Sequence, residues 1–310
     1  MQKLIAAVSV ILVTLFASLS AFAQAAAPPS EASRQAELVA AWDAAGKAGS
    51  GGPGDVALID QAKLKLPAGY FFVPQAEGAR VLRALGNVVN DSTLVGLVVG
   101  TQQNDQWIVV IRYIKDGYIK DDDAKNWNAD ELLKNIKEGV EEANKDRTAR
   151  GFPEMQVIGW VEPPGYDAAT HRLVWSMLAK HKDEPDSVPK NINYNTYALG
   201  RDGYFSLNLL SGSDRIASEK AVSHELLADL SYNAGKRYED FSATTDRIAE
   251  YGLMALVGGV AAKKLGLFAL LIAFVLKFAK AIILGAVVLG AGVMKFFRRK
   301  PRSGPADDAA

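Results

Sequence analysis

The feature that most constrains this chain is a long apolar run near its C-terminal end. Residues 265–294 carry only two charges, those of Lys277 and Lys280. As one helix the run would be about 45 Å long, whereas the hydrocarbon core of a bilayer is about 30 Å thick. A run that is this long and apolar all round is not typical of a buried helix in a soluble protein. It therefore predicts a transmembrane anchor region over residues 265–294, with the lipid bilayer as the expected partner.

The charges around the apolar run predict its orientation. Positive residues are concentrated after the run, and such residues are retained on the cytoplasmic side. Residues 295–310 are therefore expected to form a basic cytoplasmic tail, and the domain before the run is expected to lie outside the cytoplasm. Lys277 and Lys280 share a helix face, so they are expected to reach an interface or another membrane protein. The residues expected at the membrane interface are Lys263, Lys264, Lys277, Lys280, Arg298, Arg299 and Lys300.

The N-terminal end predicts the same topology independently. Residues 1–23 combine a basic start at Lys3, an apolar core and a small-x-small ending, which is the pattern of a secretory signal peptide. An uncleaved anchor is the alternative. Residues 24–54 are rich in Ala, Gly, Ser and Pro, and they predict one helix over residues 30–47 followed by a flexible break.

Charge and composition exclude several classes of function. Residues 24–252 have a net charge of −8, and residues 253–310 have a net charge of +7. An acidic body with a basic apolar tail is not typical of a nucleic-acid-binding protein, and it suits a domain tied to an anionic membrane. The chain has no cysteine, which excludes disulfides, thiolate catalysis and zinc–thiolate sites.

Residues 55–246 alternate short strand patterns with a few helices, and hairpins dominate. The predicted fold class is α+β, with a mostly antiparallel sheet built from hairpins and covered by helices. A strand over residues 107–113 is expected to turn at Asp116-Gly117 into residues 118–120. The other main elements predicted are a helix over 129–148, strands over 155–161 and 172–179, a hairpin over 194–210, a helix over 218–232, and a last helix that begins near 242–245 and continues through 247–264 toward the membrane.

The stretch GYIKDDDAKNWNADELL, residues 117–133, has the composition of a metal site. It fits no EF-hand loop, because a lysine or a glutamate takes a ligand or glycine position in either register. Asn128 as a helix cap, with Glu131 three residues later, explains the stretch as a helix start. A hard-cation site that includes Asp121 and Asp123 stays open as the alternative.

No complete catalytic motif is present. The sequence has no phosphate-binding loop, dinucleotide fingerprint or nucleophile elbow. His224-Glu225 begins like a zinc-protease motif, but Ala228 stands where the second histidine is needed. Asp167 and His171 form a conceivable acid–base pair at a turn. The sequence therefore predicts no cofactor and no assigned catalytic residue, and it favours a protein that is not an enzyme.

Several long segments resemble a known family. They are LPAGYFFV (residues 66–73), GYIKDDDAKNWNADELL (117–133), GWVEPPGYDAATHRLVW (159–175) and NYNTYALGRDGYFSLNLL (193–210). In this order they resemble a bacterial family of predicted membrane-anchored proteins that is classed as a domain of unknown function, number 2167. The resemblance covers about residues 55–294 and implies a signal peptide, an extracytoplasmic domain and a C-terminal anchor. Together with the charge pattern, this predicts a bacterial inner-membrane protein whose main domain is periplasmic. It implies no reaction, cofactor or catalytic residue.

Three functions remain open. The first is a structural or protein-interaction component of the cell envelope. The second is a metal-dependent or acid–base hydrolase that would need Asp121, Asp123, Asp167 and His171 to converge. The third is a ligand-binding sensor with a cleft lined by Tyr70, Tyr118, Tyr166 and Tyr197. A carbohydrate platform formed by Trp107, Trp127, Trp160 and Trp175 competes with packing in the core, which is the default for tryptophans in strands.

Overall fold

The computed structural model describes residues 31–258, except residues 88, 103–104, 127 and 150–152. The predicted signal peptide, anchor and basic tail lie outside the described residues, and so do all the lysines and arginines expected at the membrane interface. Within residues 31–258, no helix is long and apolar enough to cross a membrane. The chain divides into two compact units, Met1–Leu38 and Val39–Ala310, and the described part of the first is the beginning of helix α1.

The described elements comprise helices, short 3-10 turns and strands. The α-helices are α1 (Glu31–Ala48), α2 (Gln75–Ala84), α3 (Ala129–Ala149), α4 (Ile216–Asp229) and α5 (Ala255–Gly258), and the 3-10 helices are Asp122–Asn126 and Tyr238–Asp240. The strands are β1 (Ser50–Gly51), β2 (Gly54–Leu58), β3 (Ala62–Leu66), β4 (Tyr70–Pro74), β5 (Leu94–Gly100), β6 (Ile108–Ile114), β7 (Met155–Asp167), β8 (Arg172–His181), β9 (Asn191–Gly200), β10 (Gly203–Gly212) and β11 (Leu230–Tyr232).

The predicted α+β fold with a large antiparallel sheet is confirmed. Eight strands form one sheet in the order β1-β4-β5-β6-β10-β9-β8-β7, and every neighbouring pair in it is antiparallel. A second sheet has the order β11-β3-β2. The predicted β9–β10 hairpin forms, and Gly203 in its turn has φ +151° where a Cβ would lie 2.1 Å from the Ile114 carbonyl oxygen. Glycine is therefore required there.

One face of the large sheet, which we call the α4 face, packs against α4 and the small sheet. Its core includes Phe205 and Leu207 on β10, together with Leu64 on β3 and Leu226 on α4, and all four side chains are fully buried. Burial of each such side chain stabilises the fold by about 1.5–3 kcal/mol. This apolar core fixes the positions of β6, β9 and β10. It therefore also positions the side chains that these strands present on the opposite face of the sheet.

The opposite face is covered at its margins. Helix α2 approaches β5 closely, since a Cβ at Gly78 would lie 3.1 Å from the Leu97 side chain. Helix α3 packs Ile136 and Val140 against the start of β7. This helix begins as predicted, because Asn128 Oδ1 accepts the amides of residues 130 and 131 at 2.9 and 3.2 Å. That cap supports the helix-start interpretation of the acidic stretch.

Three local predictions are wrong, each because a distant segment provides hydrogen bonds that local pattern cannot reveal. Residues 118–120 do not pair with β6, whose neighbours are β5 and β10; Tyr118 instead forms a parallel bridge with Ile248. The predicted helix over 218–232 ends at Asp229, because residues 230–232 pair with β3. Residues 242–254 are turns and bridges, and the only helix described in this region is α5.

Candidate functional site

Two of the residues that the sequence singled out, Tyr118 and Asp123, contact the C-terminal segment of the domain. We call residues 246–258 the strap. The Tyr118 amide donates to the Arg247 carbonyl oxygen at 2.8 Å, and the Ala249 amide donates to the Tyr118 carbonyl oxygen at 2.9 Å. Gly117 permits this approach, because it has φ +99° and a Cβ there would lie 2.7 Å from the Arg247 carbonyl oxygen.

Asp121 and His171 come together through a tyrosine. The Tyr166 hydroxyl donates to Asp121 Oδ2 at 2.7 Å and lies 3.0 Å from His171 Nδ1. His171 Nδ1 is 3.7 Å from Asp121 Oδ2, and its Nε2 is 3.5 Å from Glu239 Oε1. Because the phenol proton is used by Asp121, His171 Nδ1–H is the natural donor to the phenol oxygen. The imidazole therefore lies between two carboxylates, that of Asp121 after β6 and that of Glu239 on the second 3-10 helix.

His171 reaches this position through an uncommon backbone conformation. It closes the β7–β8 turn with φ +53°, which costs a residue with a Cβ about 1–2 kcal/mol. Its carbonyl oxygen accepts the Leu199 amide at 3.0 Å, which ties the turn to β9. Such strain persists only where surrounding contacts compensate for it.

Four rings stack beside this contact. The ring centroids of Phe241 and Tyr118 are 3.9 Å apart, those of Tyr118 and Tyr238 are 4.4 Å apart, and those of Tyr238 and His171 are 3.9 Å apart. The Tyr238 hydroxyl donates to the Ile119 carbonyl oxygen at 2.8 Å. We call Tyr118, Asp121, Tyr166, His171, Tyr238, Glu239 and Phe241 the aromatic–acid cluster.

Electrostatics keep the phenols of the cluster protonated. Burial, and then the Asp121 carboxylate, raises the pKa of Tyr166 well above its usual value. Burial also raises the pKa of Tyr118 and of Tyr238. At neutral pH these hydroxyls therefore act as hydrogen-bond donors, and the arrangement suits holding segments or a polar partner together better than proton abstraction by a phenolate.

The other two acidic candidates lie in separate contacts. Asp123 Oδ2 accepts the Met254 amide at 2.9 Å, so Asp123 holds the strap. Asp167 accepts the Ala169 amide at 2.9 Å and the Thr170 hydroxyl at 2.7 Å, and these bonds hold the pKa of Asp167 below its usual value. Among the described residues, no group of three or more His, Asp or Glu side chains is placed to hold a metal ion.

The tyrosines predicted to line a cleft also separate. Tyr118 and Tyr166 both belong to the cluster, whereas the Tyr70 hydroxyl donates to Glu225 at 2.6 Å and Tyr197 is buried against Tyr204. Of the candidate tryptophans, Trp107 and Trp175 are 5% and 2% exposed, which is the burial expected of core residues. Trp160 donates to the Ala129 carbonyl oxygen at 3.0 Å, and Trp127 lies outside the described residues.

Sequence reasoning missed Tyr238, Glu239 and Phe241. They lie on and just after a 3-10 turn about 70 residues beyond His171, so no local spacing connects the two. The only signal in the sequence is the grouping of two aromatic rings around two acidic residues in YEDF, residues 238–241.

The strap is held along most of its length. The Leu253 amide donates to the Lys120 carbonyl oxygen at 3.0 Å, and Trp175 Nε1 donates to the Leu256 carbonyl oxygen at 3.1 Å. Leu253 and Val257 are buried in the same apolar cluster as Trp175. The strap is therefore part of the folded domain up to α5.

Comparison with known proteins identifies the family. The family model described as "Protein of unknown function (DUF2167)" matches residues 50–290. The chain belongs to this family. A search of curated proteins finds no relative. Five solved chains match, among them the solution structure of cyanobacterial PsbP (CyanoP) from Synechocystis sp. PCC 6803. That match has 10% identity and a TM-score of 0.34, covers 56% of this chain and 88% of that chain, and supports no conclusion about this family member's activity.

Proposed function

We propose that this protein is a membrane-anchored periplasmic interaction protein, a component of the cell envelope whose domain is held near the bilayer in one orientation. The observation that supports the proposal is the strap. Tethered domains on flexible linkers end in segments that make few contacts. Here the segment that leads toward residues 265–294 is fixed to the domain by Asp123, Trp175 and the Tyr118 backbone.

The length of the remaining connection sets the distance to the membrane. Residues 259–264 separate Gly258 from the start of the predicted anchor. A fully extended chain spans at most about 3.5 Å per residue, which gives at most about 25 Å between them. The end of the domain that carries α5 would therefore lie within about 25 Å of the bilayer. A fixed distance and orientation are what a partner in the same membrane requires for repeated docking.

Lys277 and Lys280 supply the second contact in this proposal. Two lysines on one face of an otherwise apolar helix are costly in lipid unless they reach headgroups or a partner helix. In the proposed function the two lysines bind a neighbouring membrane protein or lipid headgroups. The periplasmic domain binds the same membrane assembly on its periplasmic side.

The test compares the full chain with one that keeps the anchor and loses the fixed orientation. A flexible Gly/Ser segment is inserted after Gly258, and tagged proteins are purified from detergent-solubilised membranes. We expect both chains to stay in membranes after a carbonate wash, and we expect the insertion to reduce recovery of the co-purifying partners at least tenfold.

Two controls make the comparison decisive. A reporter fused at Ala310 should remain inside the cell, and the double variant Lys277→Leu, Lys280→Leu should lose partners that bind the helix. Release of the wild-type chain by carbonate, or equal partner recovery from all the chains, would show that the proposed function is wrong.

A further inference from the structure

Two bulky apolar residues are exposed on turns at one end of the domain. Ile59 lies in the β2–β3 turn and is 50% exposed, and Ile248 lies in the strap and is 41% exposed. A single apolar side chain on a protein surface is common and needs no special explanation. These two residues differ from that case in the backbone of Ile59 and in their shared position. We call Ile59 and Ile248 the isoleucine pair.

The backbone of Ile59 is unfavourable for an isoleucine. Its φ is +51°, in the left-handed region that a β-branched side chain rarely adopts and that asparagine or glycine adopts more readily. Because the side chain is half exposed, its burial within the fold does not compensate fully for this strain. Strained residues are concentrated at functional positions, where the side chain serves a purpose other than stability. Isoleucine at this position therefore indicates a contact outside the domain.

A chain of polar contacts places the two residues at the same end of the large sheet. Asp60 directly follows the first isoleucine, and its Oδ2 lies 3.0 Å from Lys236 Nζ. The Lys236 carbonyl oxygen accepts the amide of Arg201, which lies in the β9–β10 turn, at 3.0 Å. The Arg201 guanidinium donates to Asp246 at 2.7 and 2.9 Å, two residues before the second isoleucine. The β9–β10 turn thus connects both apolar residues.

The charges beside the isoleucine pair balance. The carboxylates of Asp60 and Asp246 are each paired with a cation, and Arg247 and Glu250 on either side of the second isoleucine have opposite signs. Residues 24–252 as a whole have a net charge of −8, which anionic lipids repel. The surface beside the isoleucine pair lacks this excess of negative charge, so it suits contact with a bilayer.

The path of the chain after the strap identifies what this surface faces. Trp175, which holds the Leu256 carbonyl oxygen, lies three residues from the start of β8, about 10 Å from the end that carries the β9–β10 turn. Residues 259–264 then span at most about 25 Å before the predicted anchor begins. The chain therefore leaves the domain close to the end that carries the isoleucine pair, and the bilayer lies within reach of that end.

We propose that the isoleucine pair is a lipid-contact surface, whose side chains enter the interfacial region of the bilayer that holds residues 265–294. Apolar side chains at the level of the headgroups contribute to binding in proportion to the area that they bury there. This inference rests on the proposed membrane anchoring and adds the surface that fixes the orientation of the domain. The anchor and the two isoleucines give three separate points of attachment, which prevent the domain from turning about residues 259–264.

The test uses the lack of cysteine in the natural chain. Ile59→Cys and Ile248→Cys each introduce one attachment point for a fluorophore. The full-length variants are reconstituted into vesicles of phosphatidylethanolamine and phosphatidylglycerol, with and without a lipid that carries a nitroxide close to its headgroup. We expect the nitroxide lipid to reduce the emission at both positions at least twofold, because this quenching requires contact within the bilayer.

The matched controls are Ile158→Cys and Val188→Cys. These residues are 41% and 39% exposed, so a fluorophore is as accessible there as on the strap. Val188 lies between β8 and β9 at the opposite end of the sheet, and Ile158 lies near the start of β7 toward that same end. The nitroxide lipid should leave emission at both controls nearly unchanged. Equal quenching at all four positions, or no quenching at the isoleucine pair, would overturn the proposal.

A second measurement uses the wild-type chain, so that no substitution or label can affect the result. In the same vesicles, a lipid with a photoactivatable diazirine should crosslink to the peptides that contain Ile59 and Ile248 at least twofold more than to the peptide that contains Val188. Equal crosslinking of these peptides would overturn the proposal.

A carbonate wash of the same vesicles separates this inference from the proposed function. If the chain stays in the vesicles but shows no lipid contact at the isoleucine pair, only the lipid-contact surface is wrong. If carbonate releases the chain, the proposed anchoring is wrong and this inference is overturned with it.

Discussion

A methyl group at residue 252 should loosen the strap by displacing Asp123. In the wild-type chain, Asp123 Oδ2 accepts the Met254 amide at 2.9 Å. A Cβ on residue 252 would lie 2.5 Å from that oxygen and 3.0 Å from Asp123 Cγ. Both distances are too short for a non-bonded contact, and the short aspartate side chain has little freedom to move. Gly252→Ala should therefore break the bond and leave the Met254 amide unpaired.

The magnitude follows from the two effects of the substitution. A hydrogen bond to a charged group contributes about 1.5–3 kcal/mol. Replacing glycine by alanine also lowers the conformational entropy of the unfolded chain, which stabilises the folded state by about 0.4–1 kcal/mol. The net cost should be about 1–2 kcal/mol, which corresponds to a factor of about 5–30 in the opening equilibrium of the strap.

Hydrogen exchange by mass spectrometry on the full chain measures that factor directly, through the amides of residues 253–257. The control Gly139→Ala places its Cβ in open space on helix α3, and it should leave strap exchange unchanged. In the background of Asp123→Ala, Gly252→Ala should add no further cost, because the clash and the bond are both gone. Additive costs of the two substitutions would refute the proposed contact.

Three further perturbations test other parts of the domain. Ile59 is half exposed and has φ +51°, a left-handed conformation that asparagine adopts more readily than isoleucine. Ile59→Asn should therefore stabilise the β2–β3 turn by about 1 kcal/mol and raise the melting temperature by about 2–4 °C. A lower melting temperature would contradict this prediction. Lys190 is 6% exposed, and its Nζ lies 2.6 Å from the Val188 carbonyl oxygen and 3.5 Å from Glu184 Oε1. Lys190→Met should therefore lower the free energy of unfolding by about 3 kcal/mol and make residues 182–190 accessible to protease. Unchanged cleavage of these residues would argue against this role of Lys190. The Arg201 guanidinium holds the pKa of Asp246 well below its usual value. The ion pair therefore stabilises the fold fully above the unfolded-state pKa of about 4, and this contribution is lost as the pH falls toward the folded-state pKa. Asp246→Asn should therefore reduce the difference in melting temperature between about pH 7 and about pH 3, and an unchanged difference would count against the pair.

Elements governed by local chemistry could be predicted from the sequence. The Asn128 cap and the turn before Gly203 depend on residues within a few positions of each other, and both form as expected. The partner of β6 could not be predicted in this way. Asp116-Gly117 has the composition of a hairpin turn, but β10 begins about 90 residues later and occupies that edge of β6. Pairing across such a distance is decided by the whole core rather than by the turn.

The candidate site and the polar side chains on the large sheet differ in how far the sequence reveals them. Asp121 and His171 were candidates, but their contact requires the β7–β8 hairpin to meet the segment after β6, which no spacing encodes. The asparagines on β9 did leave a trace in the sequence. Asn191, Asn193 and Asn195 alternate with Ile192 and Tyr194, a period of two that places the carboxamides on one face of a strand. Only the pairing with Asn208 on β10 shows that this face is buried.

Tyr118 joins the aromatic–acid cluster to the strap. Its ring stacks on Tyr238, which stacks on His171, while its backbone amide and carbonyl pair with Arg247 and Ala249. The strap is also held by the Asp123 carboxylate, the Lys120 carbonyl oxygen and Trp175 Nε1, so its stability depends on contacts with the body of the domain. Because the His171 ring stacks on Tyr238, which stacks on Tyr118, loss of the His171 ring should loosen Tyr118 and raise hydrogen exchange at residues 247–249, and unchanged exchange there would count against this coupling.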